Sequence, residues 1–305
     1  MNCMPKVSVI VPNYNHARFL RQRLDSIFNQ TFQDFEVILL DDCSTDNSVE
    51  VLKEYANNQH VSHFIVNEKN SGSTFIQWKK GLDLAAGEYI WIAESDDWAD
   101  ERFLEVLIKQ ISKNNNIALA FCRTYRVNEN GDNLGINRWG EHINPQRWNS
   151  DFINQGNDEI ENYLINRNTL PNASAIIFKK VKGVKVIDNI INYRFCGDWL
   201  FWMLIINNAQ IAYNSEILNY FRRYQNATSL KKESKIIIRR VSEYNKIINF
   251  AKSKIIQNNN KFDHQWIIDE WFSSKDRLKL LSFLLPPFYR NLKIAFYKQL
   301  LKKHL

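Results

Sequence analysis

The chain has 305 residues, 45% of them hydrophobic and 24% charged, which is the balance of a folded globular protein and excludes a disordered one. Four scattered cysteines (Cys3, Cys43, Cys122, Cys196) show no metal-ligand spacing and suit a reducing compartment. The net charge of +7 is uneven: residues 231–305 carry 17 Lys/Arg against 6 Asp/Glu, and the remainder 23 against 27. That split predicts a mildly acidic catalytic body with a basic surface-binding appendage. No apolar run approaches the ~20 residues of a membrane-spanning helix, and the first run, 7–11, is too short for a secretory signal. The expected location is therefore cytoplasmic.

In chain order, residues 6–11 read as a first strand closed by Pro12-Asn13-Tyr14-Asn15, a turn-forming group. A helix follows, with Phe19, Leu20, Leu24, Ile27 and Phe28 on one face. A second strand, 35–40, ends in Asp41-Asp42-Cys43-Ser44-Thr45-Asp46, where Ser44 and Asp46 are candidate helix caps. A third strand covers 61–66, and a helix from about 74 to 86 stops at Gly87 as its terminating glycine. Residues 89–93 form a buried strand, 103–111 a helix, and 117–127 a long strand turned at 128–131 as a hairpin. Residues 136–157 are polar and aperiodic, so they predict a long loop able to act as a lid. A short helix at 158–166, a strand at 173–178, a buried helix at 199–206 capped by Asp198, and a last strand at 217–223 complete the body. Alternating strands and helices with short connections predict a mostly parallel α/β sheet covered on both faces, with a helical C-terminal extension.

The strand at 89–93 runs straight into Glu94-Ser95-Asp96-Asp97. Crowded carboxylates raise each other's pKa unless something positive sits among them, and hard oxygen ligands of this kind suit Mg²⁺ or Mn²⁺. The second strand also ends in carboxylates, and open α/β sheets bind ligands at the carboxyl ends of their strands. The plainer alternative is an acidic cap on the helix whose apolar positions begin at Phe103.

Taken together, Val-Ser-Val-Ile-Val-Pro-Asn-Tyr-Asn (7–15), Asp-Asp-Cys-Ser-Thr-Asp (41–46), Gly87-Glu-Tyr-Ile, Glu94-Ser-Asp-Asp97, Gly197-Asp198-Trp199 and Phe221-Arg-Arg-Tyr-Gln-Asn-Ala-Thr-Ser229 resemble a bacterial family 2 glycosyltransferase of the GT-A fold. The ordered set spans roughly the first 230 residues and stops before the basic tail. The resemblance implies an inverting transferase that takes a sugar from a nucleotide-diphosphate donor, a UDP-sugar, to a glycan or lipid-linked acceptor in surface polysaccharide or lipopolysaccharide synthesis. It implies Mn²⁺ or Mg²⁺ on Asp96, with Glu94 and Asp97 supporting the site or the ribose. Asp42 would bond the nucleotide base, Pro12 and Tyr14 would lie beside it, and Arg222 and Arg223 would bind diphosphate. Asp198 would be the general base that deprotonates the acceptor. Two positions depart from the family pattern: Glu94 replaces its usual Asp, and Tyr224 stands where a His often helps bind metal or diphosphate.

A nucleotidyltransferase on a related sheet would show a glycine-rich basic segment after the first strand, and Pro12-Asn-Tyr-Asn15 has no glycine. A non-catalytic binding protein would have no use for Asp198 together with the acid cluster. Trp199 and Trp202 read as core, whereas Trp139 and Trp148, in the predicted loop, are the candidates for stacking on sugar. The domain division expected is a transferase domain over 1–230 and a basic helical extension over 231–305. Its last part, 275–305, mixes apolar and basic residues and suits peripheral contact with an anionic membrane at its inner face; the alternative is that the apolar residues pack on the transferase domain and the lysines are merely solvated. Nucleic acid is not an expected partner.

Overall fold

The computed structural model describes residues 4–138, 140–141, 143–170, 172–224, 233–256 and 265–272. Its first half repeats a strand–helix unit: β1 (Val7–Asn13), α1 (Ala17–Phe28), β2 (Phe35–Asp41), α2 (Ser48–Tyr55), β3 (Val61–Val66), α3 (Thr74–Leu84) and β4 (Tyr89–Ile92). Strands β1 to β4 pair in parallel, with β1 between β2 and β4. Their carboxyl ends therefore open on one edge of the sheet. After β5 (Trp98–Ala99) and α4 (Phe103–Ile111) come β6 (Ile117–Val127), β7 (Asn133–Ile136), β8 (Phe152–Gln155) and α5 (Gly156–Glu159). The chain then runs through β9 (Ile176–Lys179), α6 (Lys180–Val186), α7 (Gly197–Ile206), β10 (Gln210–Arg222), α8 (Ser234–Lys254) and α9 (Gln265–Phe272). The strand order is β3-β2-β1-β4-β9-β6-β10-β5, with β7 on β6 and β8 on β10. Only β9, inserted antiparallel between β4 and β6, interrupts the parallel run along the middle of the sheet.

Alternate residues of each central strand feed two apolar layers, because successive side chains point to opposite faces. Ile10, Ile38, Ile90 and Ile92 pack on one face beneath α3 and α7, while Val9, Val11, Val37 and Trp91 pack on the other beneath α1 and α4. Helix α8 joins the first layer through Ile237, Val241, Ile247, Ile248 and Ala251, and α9 through Ile267 and Ile268. The described part of the basic region thus shares the core of the body. The amphipathic segment 275–305 lies outside the described residues. Among the described residues, no helix is long and apolar enough to cross a membrane.

Several local expectations change. Strand β1 continues through Pro12, which pairs with Leu40, to Asn13. Helix α3 stops at Leu84, and Gly87 is needed for a different reason: a Cβ there would lie 2.6 Å from the backbone nitrogen of Ser8. The last strand begins at Gln210, its apolar pattern hidden by Asn214-Ser215-Glu216, where its register against β6 shifts. The end of the predicted loop is sheet edge, since β8 pairs antiparallel with residues 210–213 of β10 and a 3₁₀ turn at Arg147–Asn149 precedes it. Trp148, expected to stack on sugar, is 7% exposed and lies among Phe121, Phe152 and Tyr213. It fills the space between β6, β8 and β10, so its ring is core. Trp139 lies outside the described residues. Trp199 and Trp202 are buried, as expected.

Candidate active site

At the ends of β1 and β2, two adjacent aspartates do different work. Asp41 is fully buried: its Oδ2 accepts the Asn13 amide at 2.7 Å and the Ser44 hydroxyl at 2.7 Å, and its Oδ1 accepts the Ser44 N–H at 2.8 Å. It ties the two strand exits together. Asp42, also buried, organises the other side of the edge. Its Oδ1 accepts from Asn67 (2.7 Å), the Ser71 N–H (2.9 Å) and Gln77 (2.9 Å), while its Oδ2 takes the Ser71 hydroxyl at 2.7 Å. Asn15 and Cys43 have positive φ, at 58° and 63°, which turns both loops sharply away from the sheet. Tyr14 is 45% exposed at the mouth, and Pro12 is buried within β1.

The acid cluster is not a helix cap. It is followed by β5, and the next helix begins at Phe103 after Arg102. Its three carboxylates are held differently. Glu94 is half-buried, with Oε1 accepting the Trp78 indole N–H at 2.9 Å, and its own N–H reaches the Ser174 hydroxyl at 3.2 Å. Burial, then the neighbouring Asp96, push its carboxyl up to about 8. Asp97 is buried, its Oδ1 accepting the Arg222 N–H at 2.9 Å and its Oδ2 the Asn172 amide at 2.5 Å. Burial and then Asp96 raise its pKa as well. With both oxygens on protein donors, Asp97 braces the cluster. Asp96 is half-buried and its Oδ2 accepts the Tyr224 hydroxyl at 3.1 Å. Beneath them Arg23 is fully buried, lies 4.7 Å over the Trp91 ring, and has no hydrogen-bond partner for its guanidinium among the described residues. Burial lowers it to about 10, against the pull of Asp97, Glu94 and Asp96. It is a resident counter-charge to the cluster.

Tyr224 also lies 3.0 Å from His16 Nε2, and His16 Nδ1 lies 2.8 Å from the Ser95 hydroxyl. Burial, then Asp96, drive the phenol well above its ordinary pKa, so it is neutral and donates to the carboxylate rather than ligating a cation. Nothing in the sequence singled out His16, a lone histidine after a turn. Arg222, expected at the diphosphate, has another task. Its Nε donates to the Asp96 carbonyl (2.8 Å), one terminal nitrogen to the carbonyls of Asn128 and Glu129 (3.3 and 2.6 Å), and the other to Gln22 (2.6 Å). Buried between Phe19 and Trp98, it leaves little of its fork for a ligand. Arg223 is half-buried, and its N–H pairs with the Val127 carbonyl at 2.8 Å.

Asp198 comes from the far half of the chain, in the first turn of α7. Cys196, rather than Asp198, occupies the capping position. Burial pushes its carboxyl up to about 6, against hydrogen bonds from the Trp199 N–H and Asn168. The Asn168 amide donates to its Oδ2 at 3.0 Å. Four residues on, Asn172 donates to Asp97, and Ser174 then accepts from Glu94. Since a chain spans at most ~3.6 Å per residue, the Cα atoms of Asn168 and Asn172 lie within about 14 Å. Asn168 and Asn172 thus link the α7 carboxylate and the acid cluster through bonds only four residues apart. Sequence reasoning missed Asn168, Asn172 and Ser174, which carry no motif beyond being polar between apolar runs.

The donor set fits a hard divalent cation. Asp96 Oδ1 and Glu94 Oε2 have no protein donor among the described residues, and both belong to a cluster short of positive charge. No group of three or more His, Cys, Asp or Glu residues forms a cage among the described residues, so ligand oxygens would have to complete the shell.

A sheet whose parallel strands end in acids, with helices on both faces and a half-buried carboxylate on a separate helix, is the architecture of the GT-A fold. Comparison with solved structures agrees: the Staphylococcus aureus TarS 1–349 structure in complex with UDP superposes with a TM-score of 0.57 at 20% identity, covering 90% of this chain and 72% of that one. The family model Glycosyl transferase family 2 matches residues 8–173. "Uncharacterized glycosyltransferase MJ1057" of Methanocaldococcus jannaschii is 30% identical over 220 residues, 71% of this chain and 69% of that protein. "Poly(ribitol-phosphate) beta-N-acetylglucosaminyltransferase TarP" of S. aureus is 37% identical over 116 residues, but the match spans 37% of this chain and 35% of TarP. The chain belongs to glycosyl transferase family 2 and is a glycosyltransferase.

Proposed function

We propose that this chain is an inverting transferase that moves a sugar from a UDP-linked donor to a hydroxyl of a glycan or lipid-linked acceptor in bacterial surface polysaccharide synthesis. What supports this reading is that Asn168 and Asn172, four residues apart, bond Asp198 and Asp97, and that Asp198 has a raised pKa while the acid cluster keeps unpartnered carboxylate oxygens among the described residues. TarS bound to UDP supports the donor, and the poly(ribitol-phosphate) acceptor named for TarP supports the acceptor class. As the acceptor oxygen attacks the anomeric carbon, its proton passes to Asp198. The bond to the diphosphate breaks on the opposite face and the nucleoside diphosphate leaves. A carboxylate near pKa 6 is mostly ionised at pH 7, yet is a stronger base than an ordinary aspartate. Asp96, with Glu94 beside it, would hold Mn²⁺ or Mg²⁺, which when bound supplies positive charge against the departing diphosphate. Tyr14 is assigned to the base end, with Asp42 shaping that pocket through its four protein donors and Pro12 lying beneath it; Asp97 and Arg222 are assigned to bracing, and Arg223 to the diphosphate side.

The test is a panel of UDP-sugars assayed for hydrolysis and transfer with and without Mn²⁺. Asp96→Ala should remove Mn²⁺-dependent UDP binding with the fold intact. Asp198→Asn should keep UDP binding while turnover falls by ~10²–10⁴. Turnover unaffected by either change would refute the assignment. The proposal includes a basic extension over 231–305 whose end meets anionic membrane. Co-sedimentation of the full chain with phosphatidylglycerol vesicles, lost on truncation before Lys275, tests that part.

A further inference from the structure

Helix α7 begins without a cap of its own. Cys196 precedes its first residue and makes no side-chain capping bond. The N–H groups at a helix start have no partner within the helix and must find one elsewhere. What α8 satisfies is the run of N–H groups leading into that start, residues 194–196. Glu243 is 4% exposed; its Oε1 accepts the Arg194 N–H at 2.8 Å, and its Oε2 accepts the N–H groups of Phe195 at 2.9 Å and Cys196 at 3.0 Å. Arg239, one turn earlier, adds its Nε to Oε1 at 3.2 Å. One carboxylate thus grips three consecutive backbone donors, and Asp198 follows two residues later. Negative charge at this end of a helix is also favoured by the helix dipole.

Helix α8 is itself firmly seated. Arg240 pairs with Glu270 of α9 at 2.6 Å, and the Tyr244 hydroxyl donates to the same carboxylate at 3.2 Å. Trp199, next to Asp198, packs against Tyr244 and Trp266, with ring centroids 6.0 and 6.2 Å apart. The segment leading into α7 is therefore held by the basic C-terminal helices, while Asp198 itself takes the Trp199 N–H.

We propose that Glu243 is a positioning residue for sugar transfer: by gripping residues 194–196 it aims the Asp198 carboxylate at the acceptor hydroxyl. The inference rests on the reading of Asp198 as the base. Around this loop the other ionisable groups are Tyr193, Arg194 and Cys196 on its own segment, Arg239 and Arg240 on α8, and Glu270 on α9. Glu243 also raises the Asp198 pKa, as a smaller effect than burial and the hydrogen bonds from Trp199 and Asn168.

Two variants of the full chain separate reach from charge. Glu243→Asp keeps the charge but draws the oxygens back by one methylene, whereas Glu243→Gln keeps the reach and removes the charge. The probes are Mn²⁺-dependent UDP binding, hydrolysis of UDP-N-acetylglucosamine, UDP-glucose and UDP-galactose, and hydrogen exchange of peptides covering residues 194–198. Both variants should keep UDP affinity and exchange faster at 194–198. Hydrolysis should fall by about 10- to 100-fold, the usual loss from a displaced catalytic group. The acidic limb of the rate profile should move to lower pH in Glu243→Gln and stay in Glu243→Asp. Unchanged exchange at 194–198 in both variants overturns the proposal even if none of the three sugars is cleaved. So does loss of the folded state in both, which would make Glu243 a stability element of the whole domain. Asp198→Asn, run in parallel, separates the two readings. If it retains full hydrolysis, the base assignment fails; if it is inactive while the Glu243 variants match wild type in rate, limb and exchange, this inference alone fails.

Discussion

Removing the Asn168 amide should move the acidic limb of the rate profile upward, and the size of the move can be worked from the site. Asp198 is half-buried, with a pKa near 6 set by desolvation working against its hydrogen-bond donors, and the Asn168 amide donates to Oδ2 at 3.0 Å. A hydrogen bond to a charged group contributes roughly 1.5–3 kcal/mol, and one pKa unit corresponds to about 1.4 kcal/mol. Part of that contribution is recovered by water in an open site, so Asn168→Leu should raise Asp198 by about one unit, towards pH 7. The ionised fraction at pH 7 would then fall from about nine-tenths to about one-half, a rate loss of roughly twofold at that pH and about tenfold well below it. The assay is kcat/KM for donor turnover between pH 5 and 8.5 with saturating Mn²⁺. Because Glu243→Gln should move the same limb the opposite way, general damage to the fold cannot produce both results. A limb that stays in place or falls in Asn168→Leu would mean that ionisation of Asp198 does not set the acidic limb.

Three other outcomes follow from the geometry. Trp148→Ala should cost about 3–5 kcal/mol of stability, the usual loss for a large core aromatic, and leave acceptor KM unchanged in the folded fraction; a normal urea midpoint with a raised acceptor KM would return Trp148 to the sugar. Glu94, Asp97 and Asp198 all have pKa values raised in the folded state, so the folded chain holds more protons than the unfolded chain between about pH 4 and pH 8. Stability without metal or nucleotide should therefore fall as pH rises through that window, and Mn²⁺ with UDP should flatten the fall; a melting temperature that climbs from pH 5 to pH 8 would contradict the shifts. Arg23→Met removes a fixed positive charge beneath the acid cluster. Calorimetry should find Mn²⁺ bound more tightly in the presence of UDP, with lower metal-free stability above pH 7, and weaker Mn²⁺ binding by a folded variant would show that Arg23 orders the carboxylates instead.

The alternation of strands and helices through β4 was legible because each strand is a short, mainly apolar run bounded by turn residues. The same runs put Asp42 and Asp96 at the sheet's carboxyl edge. What remained hidden depends on contacts between residues far apart in sequence. Trp148 reads as a loop aromatic because its partners Phe121 and Tyr213 sit on strands β6 and β10, and the pairing of β8 that brings them together leaves no periodic trace. Arg222 reads as a diphosphate ligand by type and place, and only the carbonyls of Asp96, Asn128 and Glu129 show its fork already engaged.

The C-terminal helices show the same limit at a larger scale. By charge alone, residues 231–305 separate from an acidic body and read as an appendage. Charge, however, reports the solvent face of a helix, while its place in the fold is decided by the other face. On α8 that other face carries Ile237, Val241, Ile248 and Ala251 at helical spacing into the layer that also holds Trp199 and Trp202. The same helix delivers the carboxylate that holds residues 194–196, the segment leading into α7. Removing α8 would therefore expose a buried apolar face and release the loop before Asp198 together. A chain cut after β10 should aggregate or lose the Asp198 environment, whereas one cut before Lys275 keeps every described contact of α8 and α9. Light scattering and UDP affinity of the two truncations distinguish these outcomes, and a monomeric, fully active chain ending before Ser234 would show that α8 is an appendage after all.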